Sequence, residues 1–109
     1  MKQLFVYNAK LKKVIDGDTI DFTVDLGFNA FQAIRTRLMG INTPELSEET
    51  GKDAKLFVIS YLPIGKNVVI ETYKYPSDKY GRWLAVVYID GWNLNQMLLA
   101  NGLATEYVL

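Results

Sequence analysis

After the dipeptide Asp16-Gly17 the chain alternates without a break, setting Ile20, Phe22, Val24 and Leu26 against Thr19, Asp21, Thr23 and Asp25. A period of two sends those sets to opposite faces of a strand, one buried and one wet. A helix would scatter the same residues around its axis, so this stretch has to pair with other strands. Asp-Gly is a turn signal, and it returns the chain along the apolar run at 4–15, which Lys10, Lys12 and Lys13 interrupt. A second turn falls at Leu26-Gly27-Phe28-Asn29. Beyond it, Ile34, Thr36 and Leu38 share one face of a third strand and Arg35, Arg37 and Met39 the other. That places the two arginine backbones roughly 6–7 Å apart.

The period then changes. Ala54, Phe57, Val58, Tyr61 and Leu62 form one apolar stripe of a helix over 50–62, with Thr50 and Asp53 as the candidate cap and Pro63 and Gly65 as its end. Asn67–Tyr73 and Trp83–Ile89 read as two more strands, the second closed by Asp90-Gly91. A short last helix is capped by Asn93 with Gln96 three residues on, and Gly102 ends it with Leu103 folding back. The order is strand, strand, strand, helix, strand, strand, helix. That is an α+β, mainly β arrangement: a five-stranded OB-fold, or partly open Greek-key barrel, with a helix between strands 3 and 4 and a short C-terminal helix.

The 109 residues, 50% of them hydrophobic, suffice for one domain spanning 1–109. No apolar run approaches ~18 residues, so no membrane partner is expected. The stretch from Met1 to Asn8 is too short and polar for a secretion signal, which implies the cytoplasm unless a leader has been removed. Cysteine and histidine are both absent, which excludes disulfides, thiolate zinc sites and histidine-based triads. Catalysis must therefore run on carboxylates, Arg, Lys, Tyr and hydroxyls, with or without an oxygen-ligated metal. Twelve basic and twelve acidic residues cancel, so overall charge gives no sign of a polyanionic partner.

Three polar segments follow apolar runs: Asp16-Gly17-Asp18-Thr19, then Arg37-Leu38-Met39-Gly40-Ile41-Asn42-Thr43-Pro44-Glu45, then Asp78-Lys79-Tyr80-Gly81-Arg82. Together they offer oxygen ligands for a hard cation, a carboxylate base and guanidinium groups that suit phosphate oxygens. Each segment has a plain reading too: a hairpin turn, a helix start with proline in its first turn, and a polar loop. Gly51-Lys52 and Gly65-Lys66 lack the residues of a phosphate-binding Walker loop. Phe5, Phe22, Phe57 and Trp83 are expected in the core.

In this combination and order the segments resemble the thermonuclease family, of which staphylococcal nuclease is a member, over nearly the whole chain. The resemblance implies the same OB-fold and a monomeric Ca²⁺-dependent nuclease, cutting DNA or RNA to leave 3′-phosphates. It implies Asp18, Asn42 and the Thr43 carbonyl as Ca²⁺ ligands, with Asp16 behind them. Pro44 restricts Thr43 to extended conformations that would hold that carbonyl in place. Glu45 would be the general base, and Arg37 and Arg82 would stabilise charge on the phosphoryl group. Arg82 holds its proton too tightly to donate it. Lys79, Tyr80 and Tyr107 would contact substrate, and Arg35 would be an accessory phosphate contact. Asn42 departs from the family pattern, which has aspartate there, so weaker metal binding is expected. That departure also leaves a second reading, a non-catalytic OB-fold that binds nucleic acid. Longer members continue into a further helix.

Overall fold

The computed structural model describes residues 5–75 and 78–108. Leu4 and the start of the segment read for a secretion signal lie outside the described residues, as does Leu109 of the tail.

Strands β1 (Val6–Asp16), β2 (Thr19–Asp25) and β3 (Phe31–Leu38) form an antiparallel meander. The two-residue strand β4 (Ile41–Asn42) leads into helix α1 (Glu49–Tyr61). Strands β5 (Asn67–Tyr73) and β6 (Trp83–Ile89) follow as a second antiparallel pair. β5 pairs with β1, and β6 runs parallel to β3 with Thr36 opposite Trp83 and Arg37 opposite Leu84. Those pairings close five long strands into the OB-type barrel. β7 (Trp92–Asn93), helix α2 (Leu94–Ala100) and β8 (Thr105–Glu106) complete the chain. No described helix is long and apolar enough to cross a membrane.

The alternation in β2 behaves as its period requires. Ile20 and Phe22 are fully buried inside the barrel, joined by Leu38, Ile70 and Val87 from three other strands. Each such side chain contributes about 1.5–3 kcal/mol by leaving water. Register shifts between Leu11 and Lys13 and between Val14 and Asp16 bend β1 so that the sheet can close. Helix α1 lays Ala54 and Val58 on the barrel, followed by its C-cap Leu62, while Leu94 and Leu98 of α2 pack on the same core.

Helix α1 begins one residue before the expected stretch. Its N-cap is Glu48, without a side-chain cap bond, so Thr50 and Asp53 do not cap it. Both lie inside the helix, whose first turn is already closed by Gly51 N and Lys52 N donating to Glu48 O at 3.1 and 3.2 Å. Helix α2 follows the sequence signals: Asn93 Oδ1 accepts from Gln96 N at 3.1 Å, and Leu103 N donates to Leu98 O at 3.0 Å past Gly102 at φ +69°. Two aromatics expected in the core are not there. Phe5 and Trp83 stand at the barrel mouth, 57% and 39% exposed, because no described element covers the barrel end that they line.

Asn95 joins the last helix to the barrel. Its Oδ1 accepts from Val87 N, and its Nδ2 donates to Met39 O (2.9 Å) and Ala85 O (3.1 Å).

Candidate active site

The β1–β2 hairpin brings the first polar segment into the barrel's flank. Asp16 pairs with Thr19 across the turn, leaving Gly17 and Asp18 as the loop. Gly17 is buried, and a Cβ there would meet Ala54 Cβ at 2.8 Å and the Thr43 side chain at 3.0 Å. The glycine is needed for this close approach of helix α1 and the Thr43 loop.

Asp18 is 8% exposed and joins the first two segments. Its Oδ2 accepts from Thr43 N at 3.1 Å, its Oδ1 from Thr19 Oγ1 at 3.3 Å, and its backbone oxygen from Leu38 N at 2.8 Å. Asp16 Oδ1 accepts from Asp18 N at 3.1 Å. Burial, and then the adjoining Asp18 carboxylate, push the Asp16 carboxyl up to about 6.

Arg37 lies opposite Thr19 in the β2–β3 ladder and is 7% exposed. Its Nη2 donates to Asn42 Oδ1 at 3.0 Å, and its guanidinium carbon lies 4.7 Å from the Tyr107 ring centre. The tail reaches that position because β8 pairs with β4 and Tyr107 N donates to Gly40 O at 2.9 Å. Tyr107 and Asn42 therefore cover Arg37 and separate its environment from that of Arg35. Arg35 is exposed and held bidentately by Asp21 at 2.7 and 3.0 Å. It forms a surface ion pair, apart from the buried Arg37.

Glu45 sits on the surface between Pro44 and the start of α1. Its backbone is fixed more firmly than its side chain: a Cβ at Gly51 would collide with the Pro44 and Glu45 carbonyls. Arg82 precedes β6 and is held by Asp78, whose Oδ2 accepts from Arg82 N at 2.7 Å and whose Oδ1 accepts from Nη2 at 2.8 Å. That pairing raises the guanidinium pKa and draws the Asp78 carboxyl below its ordinary value. Asp18 also adds to the stabilisation of the Arg82 cation, which ties the third segment electrostatically to the first. Tyr80 is exposed, with Lys79 Nζ 5.3 Å and Arg82 Cζ 5.1 Å from its ring centre.

A cleft of about 270 Å³ opens between the Asn42–Pro44 loop and the Gly102–Thr105 segment. The more apolar cavity, about 180 Å³, is the barrel mouth around Tyr7, Val24, Ile34 and Trp83, and no charged group lines it among the described residues.

The donor set suits a hard cation. Among the described residues no three acidic groups converge, so two carboxylates would be completed by amide and carbonyl oxygens. Asp16 and Asp18 leave a half-buried pair of acids whose repulsion a cation would relieve, and each Asp18 oxygen keeps an unused lone pair. Asn42 is less well placed, since its amide oxygen already faces the Arg37 guanidinium.

The sequence reading includes Asp78 in the third polar segment without giving it a role, and it gives Gly51 no part in the site. Asp78 had a signal, its spacing of four from Arg82 across a glycine turn. Gly51 had none, because the collision it avoids is with a segment that only the fold brings near.

The chain is a closed OB-type barrel whose flank carries two adjoining hydrogen-bonded pairs, Asp18 with Thr43 and Arg37 with Asn42. The match to the family described as staphylococcal nuclease homologue covers residues 35–109, and this chain belongs to that family. It is 36% identical over 101 residues to a protein of Escherichia coli O157:H7 named an uncharacterized endonuclease, covering 92% of this chain and 61% of that protein. It is 38% identical over 100 residues to the thermonuclease of Staphylococcus intermedius, covering 86% and 56%. An uncharacterized protein of Bacillus anthracis is 33% identical over 109 residues, covering 94% and 48%. The chain thus spans about half to three-fifths of the length of these relatives.

Proposed function

We propose that this chain is a nuclease that hydrolyses phosphodiester bonds of DNA or RNA with Ca²⁺, leaving 3′-phosphate ends. The observation that carries the reading is the tie between Asp18 and Thr43 N, which brings the acid hairpin and the Asn42–Glu45 segment together beside buried Arg37. Membership of the nuclease family and the names of the two relatives support it.

Asp18, Asn42 and the Thr43 carbonyl would hold the cation, with Asp16 behind them. When bound, Ca²⁺ supplies positive charge against the phosphate oxygens. Glu45 takes a proton from the water that attacks phosphorus, in line with the departing 5′ oxygen. Arg37 and Arg82 bind the non-bridging oxygens, and their fixed donors meet the extra negative charge of the five-coordinate state. The 5′ oxygen leaves with a proton from solvent, since neither guanidinium releases one. Lys79, Tyr80 and Tyr107 present cationic and aromatic surface to the flanking nucleotides, Tyr107 already stacked on Arg37. The working form is a monomer.

One observation favours the second reading, a nucleic-acid-binding module without catalysis. Arg37 occupies the Asn42 amide oxygen, leaving the cation one charge short and one ligand contested. Incubating the protein with denatured DNA in Ca²⁺, in Mg²⁺ and with chelator decides between them. Cleavage in Ca²⁺ that chelator abolishes supports the nuclease. Retained DNA binding without cleavage under any condition supports the module.

A further inference from the structure

The segment before β6 contains a carboxylate that the proposed chemistry does not use. Asp78 has a side chain only 3% exposed, and both its oxygens bind Arg82, with the Tyr80 backbone amide as a further donor. Arg82 N donates to Oδ2 at 2.7 Å, Nη2 donates to Oδ1 at 2.8 Å, and Nε lies 3.2 and 3.3 Å from the two oxygens. Gly81, at φ +69°, makes the reversal that points the Arg82 amide back at Asp78. One carboxylate thus grips both the backbone and the Nε–Nη2 edge of the same arginine.

The direction of that grip matters. Guanidinium has five donors in one plane, and Asp78 engages Nε–H and one Nη2 hydrogen. The Nη1 edge and the other Nη2 hydrogen stay outside the contact. The Tyr80 ring, 5.1 Å from Cζ, borders the same group, and Arg82 is 18% exposed along its side chain. A long side chain that otherwise samples many rotamers is reduced to one orientation, with a donor edge that no described residue takes up.

We infer that Asp78 is the positioning residue for Arg82, fixing the guanidinium so that its free edge meets the phosphate when substrate binds. The inference rests on the proposed nuclease reading and names the residue that pre-organises one of its groups. Pre-organisation of this kind appears in turnover more than in ground-state binding, because the orientation counts most when charge develops.

The test compares parent, Asp78→Asn, Arg82→Ala and the double variant on a single-stranded oligonucleotide in Ca²⁺. Asparagine keeps an oxygen for the Arg82 amide but cannot serve both contacts. The expected result is a fall in kcat of about 10–100-fold for Asp78→Asn with KM changed less than about threefold. In the Arg82→Ala background the same substitution should change kcat by less than about twofold, since its effect passes through Arg82. A merely structural role would instead give additive losses. Asp78→Ser, which retains an acceptor for the backbone amide, serves if Asp78→Asn does not fold. The arginine Nε–H resonances provide a readout apart from activity: the Arg82 signal should be protected from exchange in the parent and lose that protection in either Asp78 variant. Parent-like kcat, additive losses, a rate increase on releasing Arg82, or an unprotected Nε–H in the parent would each overturn the inference. If the parent does not cleave, the nuclease reading fails, and the resonance still decides whether Asp78 holds Arg82.

Discussion

Replacing Gly51 with alanine probes how helix α1 holds the proposed base. Gly51 lies in the first turn of α1 and does not have the left-handed backbone that would bar alanine. Helix propensity alone would make the change stabilising by about 1 kcal/mol. Packing opposes it. The new Cβ would overlap the Glu45 carbonyl oxygen, and sit 2.5 Å from its carbon and 2.7 Å from the Pro44 oxygen, where 3.4 Å is ordinary contact. The neighbours are backbone, which cannot rotate aside, so the Pro44–Glu45 segment must retreat by about 1–1.5 Å. Overpacking of this kind costs about 1–3 kcal/mol, which leaves a net loss of about 0–2 kcal/mol once the propensity gain is included. The same retreat carries Glu45 away from its working position, and a displacement of about 1 Å can cost about 100-fold in rate. Urea unfolding and the single-turnover cleavage rate, measured on one preparation, separate the two effects. The reasoning predicts a protein that stays folded and cuts about 100-fold more slowly. A Gly51→Ala protein as active as the parent would refute it, because the base loop would then not depend on that contact.

Asn42→Asp restores a charge to the cation site and should tighten Ca²⁺ binding by about tenfold, read by calcium titration; no gain would mean that residue 42 is not a ligand. Asp16 titrates in the fold at about 6, so between its ordinary 3.8 and that value the folded state holds a proton that the unfolded chain has released. Stability of the metal-free protein should therefore fall as pH rises through that window and stay low above it. The difference between those two values corresponds to about 3 kcal/mol, which solvent screening of a partly open group reduces to about 1–2 kcal/mol. Asp16→Asn should recover that amount at about pH 7 and little at about pH 4, measured by urea unfolding in chelator. Asn95→Ala removes a partner from Val87 N, Met39 O and Ala85 O, of which Ala85 O keeps Met39 N, and should cost about 2–4 kcal/mol in the same assay, with the Ca²⁺ dependence of any cleavage unchanged.

Periodicity made the barrel legible, because Ile20, Phe22 and Val24 have one arrangement that buries them together. The bounds of β5 and β6 were readable from apolar runs between turn signals, and α2 from its cap and glycine. What depends on contact between distant segments was not readable. Asp16-Gly17 announced a turn, but the tight fit of Gly17 against Ala54 and Thr43 is tertiary. Arg35 and Arg37 look alike in sequence, two residues apart on one strand face. The fold separates them, giving Arg35 to Asp21 on the surface and burying Arg37 under Asn42 and Tyr107. Tyr107 reaches Arg37 through the β4–β8 pairing of two residues each, too short to leave a periodic signal. The first turn of α1 departs from its cap signals for a similar reason, since its entry is set by backbone packed against Gly51.

The most direct measurement is the single-turnover rate of Glu45→Gln against the parent, on denatured DNA at saturating Ca²⁺, with DNA binding measured alongside. Glutamine preserves the shape of the side chain and removes its ability to take a proton. The account predicts a loss of about 10²–10⁴-fold in rate with binding essentially unchanged. A Glu45→Gln protein that cuts within about twofold of the parent would contradict it, because a general base worth that little is not the base.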